Sequence, residues 1–476
     1  MKSILTAWFV LIVMISHSQN IHDYFQKIRN NRAELTAFIS QMPKGGDLHN
    51  HYSGALYAET YFDRAVKNDF WLNTKTLQVS ADAQTGEGWT TFSTLGKEGT
   101  LSIYREKLLQ LWSMKNFAGA DGEQHFFATF GLFSPLSNID FAEGLHELKQ
   151  RAIAENISYL ELMFSRVDVS KLLVDSANEY NKLLENKMAL NDSSHLNEIL
   201  NRLYNKIIQL PIEDSIKSFT HFLDSLHYTG HMDDAGFTMR YQTYIVRVQN
   251  AVTTFKNLVA SFEAANRDSL IVGVNIVAPE DNPISMRDYK LHMRMFAFCH
   301  QKYPAVHYAM HAGEITEGYV PPESLTYHIA DAVYIARAQR IGHGIDVAYE
   351  KNNYELLQYM SRNHIAVEIN LSSNEYILGI INDAHPITLY NRFHVPLVIS
   401  TDDAGVNRSS LTEQYVMLAS RYKNFDYSDI KKLVYNSIMY SFLKPWEKKA
   451  LKKDLDERFK KFERYVLKTQ PDPVQK

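Results

Sequence analysis

His311-Ala312-Gly313-Glu314 follows an apolar run, Ala305 to Met310, that is typical of a buried strand. An imidazole that can bind a metal and a carboxylate that can carry a proton therefore stand at the end of a strand, with a glycine between them. Such a segment turns sharply, so both side chains can face one cavity. A His near a Glu is more often a structural pair than a site, so the interpretation depends on the partners that the rest of the chain supplies.

A second segment of the same kind is Asp47-Leu48-His49-Asn50-His51, which comes after the Gly45-Gly46 pair. Alternate residues of a strand point to the same side, so His49 and His51 face one side together. This geometry lets two nitrogens bind one metal ion. The alternative is an ordinary polar strand end, since His-x-His is common by chance.

Strand and helix patterns alternate along the chain, which favours a parallel sheet. After the strand that ends at His51, we predict strands over Ser158–Phe164, Thr238–Val246, Ser269–Val277, Ala305–Met310, Arg340–Gly342, Ile365–Ile369 and Val395–Ser400. The helices predicted after the third to the seventh strand are Thr253–Asn266, Ser285–Gln301, Ser324–Ala338, Tyr354–Arg362 and Ile387–Arg392. Eight strand–helix units indicate an α/β fold, the (β/α)8 TIM barrel, with its site at the carboxyl ends of the strands.

The remaining segments are mostly helical in pattern. We expect one domain over residues 19–476, with helical extensions at Ile21–Gln41 and Tyr427–Leu467. Residues from Phe62 to Phe130 are mostly helical in pattern, and the aromatic residues from Phe126 to Phe133 are expected in the core. A polar helical insertion over residues 166–235 follows strand two. It could cover the site, mediate association into a homodimer, or be a passive surface feature.

Composition narrows the function classes. The chain has 476 residues, 45% hydrophobic and 22% charged, with a net charge of −4, which argues against nucleic-acid binding. Residues 1–18 resemble a cleavable signal peptide, and their apolar run falls short of the roughly 20 residues that span a bilayer. We therefore expect a secreted or periplasmic protein without stable membrane insertion. Cys299 is the single cysteine, which leaves no internal disulfide.

The polar candidates all fall at one face of the predicted barrel. His49 and His51 end strand one, His311 and Glu314 end strand five, His343 ends strand six, and strand eight ends with Asp402 and Asp403.

Imidazoles and a carboxylate without cysteine suit zinc, while iron and manganese remain alternatives. The two strand-one histidines, His311 and one aspartate could hold the ion, which would lower the pKa of water towards neutrality. His343 and the aspartates could act as base or orienting group, and Glu314 could donate a proton. Ser269–Val277 has no lysine to bridge two metals, so one metal ion is expected.

Four motifs together resemble the adenosine deaminase family. They are Met42-Pro43-Lys44-Gly45-Gly46-Asp47-Leu48-His49-Asn50-His51, His311-Ala312-Gly313-Glu314, Ile341-Gly342-His343-Gly344 and Ser400-Thr401-Asp402-Asp403. They occur in the family's order. The Met-Pro-Lys-Gly-Gly lead and the export signal resemble the family's secreted, growth-factor-like branch.

The resemblance implies a role for each of these residues. His49, His51, His311 and Asp402 would bind one Zn²⁺ per chain. Glu314 would donate a proton to the purine N1, His343 would orient the hydroxide that attacks C6, Asp402 would serve catalysis as well as metal binding, and Asp403 would bind N7. Ser53, Ala278 and Gly313 would complete the substrate site. The product of adenosine or 2′-deoxyadenosine would be inosine or 2′-deoxyinosine, plus ammonia.

This sequence departs from the family's pattern near the substrate. Ala278 stands after strand four where a glycine is usual, so its methyl group could crowd the base. After strand two the chain reads Glu161-Leu162-Met163 where Glu-x-Arg is usual, and Ser53 replaces a common acidic residue. Ala278 and Met163 motivate one alternative, a mononuclear metallohydrolase for another purine or amine. The export signal and the helical insertion motivate another, a catalytically silent extracellular binding or signalling protein.

Overall fold

Eight parallel strands form the centre of the molecule in a computed structural model, which describes residues 21–186 and 193–469. We number them β1 to β8: Gly45–His51, Ile157–Ser165, Thr238–Val246, Ile271–Val277, Ala309–Ala312, Arg340–His343, Ala366–Ile369 and Leu397–Ile399. The predicted strands match these in order, with ends that shift by up to a few residues. The predicted α/β barrel is confirmed.

The barrel consists of two four-stranded parallel sheets, one with the order β1-β2-β3-β4 and one with the order β5-β6-β7-β8. Single bridges close both seams: Val274 pairs with Tyr308, and Asn50 pairs with Asp402. At the second seam Asp402 N–H donates to His49 O at 2.8 Å, and His51 N–H donates to Asp402 O at 3.2 Å. The first and last strands therefore meet at three of the predicted metal ligands, His49, His51 and Asp402.

Helices surround the barrel and extend both of its ends. In chain order the α-helices are a helix over residues 21–28, then Arg32–Gln41, Tyr52–Ala55, Ala58–Lys67, Phe92–Lys97, Leu101–Leu111, Gly122–Ser137, Phe141–Ala154, Ala177–Leu184, Ser193–Ile207, Ile212–Thr229, Ala251–Arg267, Pro283–Lys302, His328–Asp331, Asn353–Arg362, Leu371–Leu378, Ile387–Arg392, Leu411–Arg421, Tyr427–Met439 and Pro445–Thr469. In the described part of the chain, none of the helices is both long and apolar enough to cross a bilayer. The predicted signal peptide, residues 1–18, lies outside the described residues.

Several local predictions were wrong. The predicted helix Ser324–Ala338 is a 3₁₀ turn, Pro322–Thr326, then the short helix His328–Asp331 and a π-helical turn, Ala332–Ala336. Its α-helical pattern fails because Arg337 adopts a left-handed conformation (φ +62°) that ends the segment. The two terminal extensions are each broken into two helices. Asn31 caps the helix Arg32–Gln41 through its side-chain oxygen, and Pro445 begins the last helix.

The stretch predicted as helical before β2 also contains a small antiparallel sheet of Trp71–Asn73, Val79–Ser80 and Trp89–Thr91. These short segments contain residues that favour strands, Trp, Val and Thr. The helices Leu371–Leu378 and Leu411–Arg421 were not predicted. The helix and strand patterns of the sequence therefore missed the small antiparallel sheet and these two helices.

The insertion after β2 is helical, as predicted, and lies on the outside of the barrel. Its Tyr204 ring lies 5.8 Å from the Phe298 ring, and the hydroxyls of Tyr204 and Tyr303 are 2.9 Å apart. Phe298 belongs to the outer helix Pro283–Lys302, and Tyr303 follows it. Among the described residues of the insertion, Arg166 at its first position is the one that lines the central cavity.

Candidate active site

Four side chains from three separate strand ends meet at a buried point. The ligand atoms of His49, His51, His311 and Asp402 all lie within 4.8 Å of one another. His51 Nε2 is 3.2 Å from His311 Nε2, and Asp402 Oδ1 is 3.4 Å from His49 Nε2 and 3.2 Å from His51 Nε2. The structure thus brings together the residues that the sequence suggested as metal ligands.

The outer hydrogen bonds of these residues leave their inner atoms free for a cation. His49 Nδ1 donates to Glu368 Oε2 at 2.6 Å, and His311 Nδ1 donates to Asn275 Oδ1 at 3.0 Å. Each ring therefore turns its Nε2 inward, the arrangement in which a second hydrogen bond fixes a metal-binding histidine. Asp402 Oδ2 accepts from Ser373 Oγ at 2.6 Å, so Oδ1 faces the histidines.

Two further observations test whether a metal fits here. His49 Nε2 is fully buried and has no hydrogen-bond partner. Although burial opposes it, the carboxylates of Asp402 and Glu368 raise the pKa of His49 to about 10, so the protein favours a positive charge at this point. A divalent cation bound by three imidazoles and one carboxylate would give His49 Nε2 a partner and supply the positive charge. This donor set is typical of zinc. The residues present therefore fit a metal ion.

Backbone geometry aims the same groups inward. His343 and Asp402 have positive φ values of +66° and +60°, which are uncommon for residues with side chains and cluster at functional sites. Gly313 has φ +76°, and a Cβ at this position would lie 2.3 Å from Asp346 Oδ1. Only glycine can therefore make the turn that carries the chain from His311 to Glu314.

A chain of hydrogen bonds sets the protonation of His343. Ile387 N–H, which can only donate, donates to His385 Nδ1 at 3.1 Å. His385 Nε2 then donates to Asn374 Oδ1 at 3.2 Å, and the Asn374 amide donates to His343 Nδ1 at 3.0 Å. Burial lowers the pKa of both His343 and His385 to about 3, so both rings are neutral. His343 therefore carries its proton on Nε2, which is buried, without a hydrogen-bond partner, and 3.8 Å from Asp402 Oδ2.

Glu314 lies beside this ring, with its Oε1 3.4 Å from His343 Nδ1. Burial, reinforced by the carboxylates of Asp402 and Glu280, raises the pKa of Glu314 well above its usual value. Burial and the adjacent Asp402 likewise raise the pKa of Asp403. Both environments therefore favour the protonated form of the carboxyl group, which can donate a hydrogen bond.

A cavity of about 340 Å³ opens over these groups. Its wall consists of His51, Ser53, Phe126, Phe127, Phe130, Arg166, Tyr244, Val246, Val277, Ala278, Pro279, His311, Glu314, His343, Ile377, Asp402 and Asp403. The volume lies at the small end of the usual range for ligand pockets, and the wall combines apolar surface with a few convergent polar groups. The cavity is therefore suited to a small, partly apolar substrate.

Three of the four predicted substrate-binding residues line the cavity. They are Ser53, Ala278 and Asp403. Ala278 adopts φ +88°, a conformation that suits glycine, so the methyl group is held at a strained position in the wall. Gly313 does not contribute to the wall, because its N–H donates to Glu280 and its open side faces Asp346 and Ile329.

The prediction that the aromatic residues from Phe126 to Phe133 serve the core is incomplete, because some of them also form the site. Phe126 is buried, but it also lines the cavity together with Phe127 and Phe130. All three project from the helix Gly122–Ser137, which therefore forms the apolar side of the cavity. The sequence shows the aromatic pattern but not which surface the helix faces.

Sequence reasoning missed the residues that hold the ligands. Glu368 and Asn275 orient His49 and His311, Asn374 and Ser373 orient His343 and Asp402, and Arg340 donates to Glu368 at 2.5 Å. The sequence contains one indication of such a residue: a charged side chain within an apolar strand, as at Glu368 in β7. A lone polar residue in a buried strand must find a partner.

Comparisons with known proteins agree with this geometry. The model of a family described as "Adenosine deaminase" matches residues 201–458, more than half of the chain. An adenosine deaminase of Clostridium kluyveri is 24% identical over 431 residues, which cover 90% of this chain and 95% of that protein.

Solved structures share the fold. The N6-methyl-AMP deaminase of Arabidopsis thaliana superposes with a TM-score of 0.54 at 18% identity, over 89% of this chain and 98% of that one. An amidohydrolase of Burkholderia ambifaria with bound zinc superposes with a TM-score of 0.52 at 17% identity, over 90% of this chain and 94% of that one. At these identities the likeness concerns the fold alone.

Proposed function

This chain belongs to the adenosine deaminase family, a family of hydrolases that act on C–N bonds, and on that premise we propose that it is a zinc-dependent purine nucleoside deaminase. Its substrates are adenosine and 2′-deoxyadenosine, which it converts to inosine and 2′-deoxyinosine with release of ammonia. The observation that carries the proposal is the convergence of His49, His51, His311 and Asp402 at one buried point. One zinc ion per chain is the occupant that this donor set favours.

The four ligands would hold the zinc ion between them. When bound, the ion supplies Lewis-acid activation of a water molecule, which hydrolytic deamination needs at neutral pH. Asp402 contributes Oδ1 to the ion while Ser373 holds Oδ2. Because Glu368 and Asn275 keep the ligand rings in one tautomer, the site is organised before the substrate enters.

The other polar residues act on the purine and on the attacking oxygen. Glu314 holds a proton and gives it to N1 as the oxygen bonds to C6, so that N1 takes up the electrons of the C6–N1 double bond. His343 presents Nε2–H to the attacking oxygen and so fixes its direction. Asp403, also protonated, donates a hydrogen bond to N7, which can only accept. The proton of the added hydroxyl then passes to the amino group, the C6–N bond breaks, and ammonia leaves while the purine keeps the oxygen as a carbonyl. The other proton of the water restores the Glu314 carboxyl.

The direct test follows the ultraviolet absorbance change as adenosine becomes inosine. We expect turnover by the wild type and one zinc ion per chain. Glu314→Gln should retain the metal and lose at least about 100-fold in kcat, the scale of general acid catalysis. Glu317→Gln is the matched control, because Glu317 is exposed and lies three residues further along the chain. Near-wild-type turnover by Glu314→Gln would contradict the assignment of the proton donor.

A second candidate substrate class is another purine, either substituted at N6 or phosphorylated. Two observations favour a substrate other than adenosine: the Ala278 methyl stands in the cavity wall where it can crowd the adenine base, and Arg166 brings a positive charge to the same wall. A panel of adenosine, N6-methyladenosine and AMP separates these substrates. If the methyl excludes the base, Ala278→Gly should raise kcat/KM for adenosine several-fold, mainly through KM.

The site of action proposed here is outside the cytoplasm. It rests on the signal-like residues 1–18 and on the Met-Pro-Lys-Gly-Gly lead, which resembles the secreted growth-factor-like branch of the family. Expression of the full chain should yield an exported protein whose first residue is Gln19, as measured by mass spectrometry. An intact Met1 on the exported protein would contradict cleavage. Light scattering on the same sample tests the proposed homodimer.

A further inference from the structure

A buried carboxylate outside the metal site holds the turn that carries Glu314. Glu280 follows β4 and is 2% exposed. Its Oε1 accepts from Gly313 N–H at 3.0 Å, and its Oε2 accepts from Glu314 N–H at 2.9 Å. One side chain therefore binds both consecutive backbone amides of the turn between His311 and the Glu314 carboxyl.

Two further donors complete the surroundings of Glu280. His328 Nδ1 donates to Oε1, and Arg247 Nη1 lies 3.4 Å from Oε2. Both oxygens thus face two N–H groups each. A glutamine has only one acceptor oxygen, and its NH₂ group would face N–H donors on the other side. A carboxylate suits this position because both of its ends accept.

Arg247 extends the same arrangement to the neighbouring strand ends. Its Nη2 donates to Ile276 O at 3.2 Å and to His311 O at 2.9 Å. Arg247 follows β3, Ile276 lies in β4 and His311 lies in β5. The Arg247–Glu280 pair therefore fixes three adjacent strand ends relative to one another, and the Gly313–Glu314 turn is bound to this frame through two amides.

We propose that Glu280 is a positioning residue for the deamination, and that it sets the distance between the Glu314 carboxyl and the purine N1 without touching the substrate. This inference rests on the proposed function. The Gly313 turn has a positive φ, and its carbonyl accepts from Ile345 N–H and Asp346 N–H. Loss of the Glu280 acceptors would release the two amides next to the Glu314 side chain while these carbonyl bonds remain. A displacement of about 1 Å at a catalytic group can cost roughly 100-fold in rate.

The chain offers a matched control in Glu350. This residue is also a buried glutamate, and its Oε1 accepts from the backbone amides of Ile329 and Ala330. Those amides belong to the helix His328–Asp331 and not to the turn. Glu280→Gln therefore takes the acceptor from one of the two turn amides, because these amides use both oxygens. Glu350→Gln leaves one oxygen for both helix amides and shows the effect of replacing a nearby buried glutamate.

The experiment measures kcat, KM, zinc content and the melting temperature for both variants in the full chain. We expect Glu280→Gln to lower kcat by about 30- to 100-fold, with KM within about threefold and one zinc ion retained. Glu350→Gln should keep kcat within about twofold. Equal losses of kcat in the two variants, a loss of zinc from Glu280→Gln, or its kcat within twofold of wild type would each overturn the proposal.

Two further measurements test the proposal if Glu280→Gln does not fold or if the wild type has no activity on purines. If Glu280→Gln does not fold, Arg247→Lys replaces it, since lysine keeps the charge but cannot reach both Glu280 and His311 O. It should lower kcat about tenfold at unchanged KM, and an unchanged kcat would overturn the proposal.

If the wild type turns over no purine, the proposed function fails. Hydrogen exchange at the Gly313 and Glu314 amides then decides: we expect faster exchange in Glu280→Gln than in Glu350→Gln, and equal exchange would exclude the positioning role.

Discussion

Asn374 donates its side-chain amide to Nδ1 of His343 at 3.0 Å, and this bond determines which nitrogen of His343 carries the proton. The donor end of Asn374 is itself determined, because its oxygen accepts from His385, which accepts in turn from the backbone amide of Ile387. A backbone N–H, which cannot reverse its role, thus fixes the tautomer of a ring at the candidate site.

This relationship predicts the effect of an isosteric change. Asn374→Asp places a carboxylate oxygen against His343 Nδ1, which draws the proton to Nδ1 and leaves Nε2 as an acceptor. We expect kcat to fall by at least about 100-fold, because the wrong tautomer removes the Nε2–H that faces the attacking oxygen. Steady-state kinetics and zinc analysis provide the test. A kcat within threefold of wild type, with zinc retained, would show that the tautomer is irrelevant.

Removal of the metal should abolish turnover and lower stability together. A ligand that binds only the folded state stabilises it, so chelation should lower the melting temperature as well as remove activity. Added zinc should restore both. His311→Ala should bind no zinc, whereas His221→Ala, on the exposed side of the helix Ile212–Thr229, should bind one ion per chain. Activity that persists in zinc-free protein would exclude a metal-dependent mechanism.

The stability of the protein should depend on pH through Glu123, which lies in the first turn of the helix that carries the cavity phenylalanines. Burial and the neighbouring Asp281 raise the pKa of Glu123 from 4.5 to about 8. The folded state therefore binds this proton more tightly than the unfolded state does. The stabilising contribution is complete below pH 4.5 and is lost as the pH rises from 4.5 to 8.

Glu123→Gln should remove that dependence, because the amide stays neutral. Urea unfolding at pH 5 and pH 8 should show a smaller difference in the free energy of unfolding for the variant than for the wild type. Glu87→Gln, at an exposed position, serves as the control and should behave like the wild type. An unchanged pH difference in Glu123→Gln would contradict the raised pKa.

Arg166 should affect nucleotides more than nucleosides. It lines the cavity, is exposed, and has no acidic hydrogen-bond partner among the described residues. A phosphate on the substrate would meet its guanidinium, which binds phosphate with paired hydrogen bonds. Arg166→Gln should therefore raise KM for AMP by about tenfold or more and leave KM for adenosine within about twofold. Equal changes for the two substrates would exclude phosphate recognition by Arg166.

The fold could be predicted because it depends on a repeated local pattern. Most strands of the barrel are short, largely apolar runs, and most are followed by a helical segment. The observed β3 has the predicted bounds, Thr238–Val246. The meeting of His49, His51, His311 and Asp402 follows from the same rule, since the carboxyl ends of parallel strands share one face of a barrel.

The sequence by itself determined the order of the strands and the face on which the polar strand ends gather, because both depend on the periodicity of neighbouring residues. Only the tertiary structure decided the partners: Glu368 for His49, Asn374 for His343, and Glu280 for the Gly313–Glu314 turn. The same holds for the phenylalanines of the helix Gly122–Ser137, which line the cavity instead of serving only the core. Such contacts join residues far apart in the chain, and their pairing depends on distances and directions that exist only once the barrel has closed.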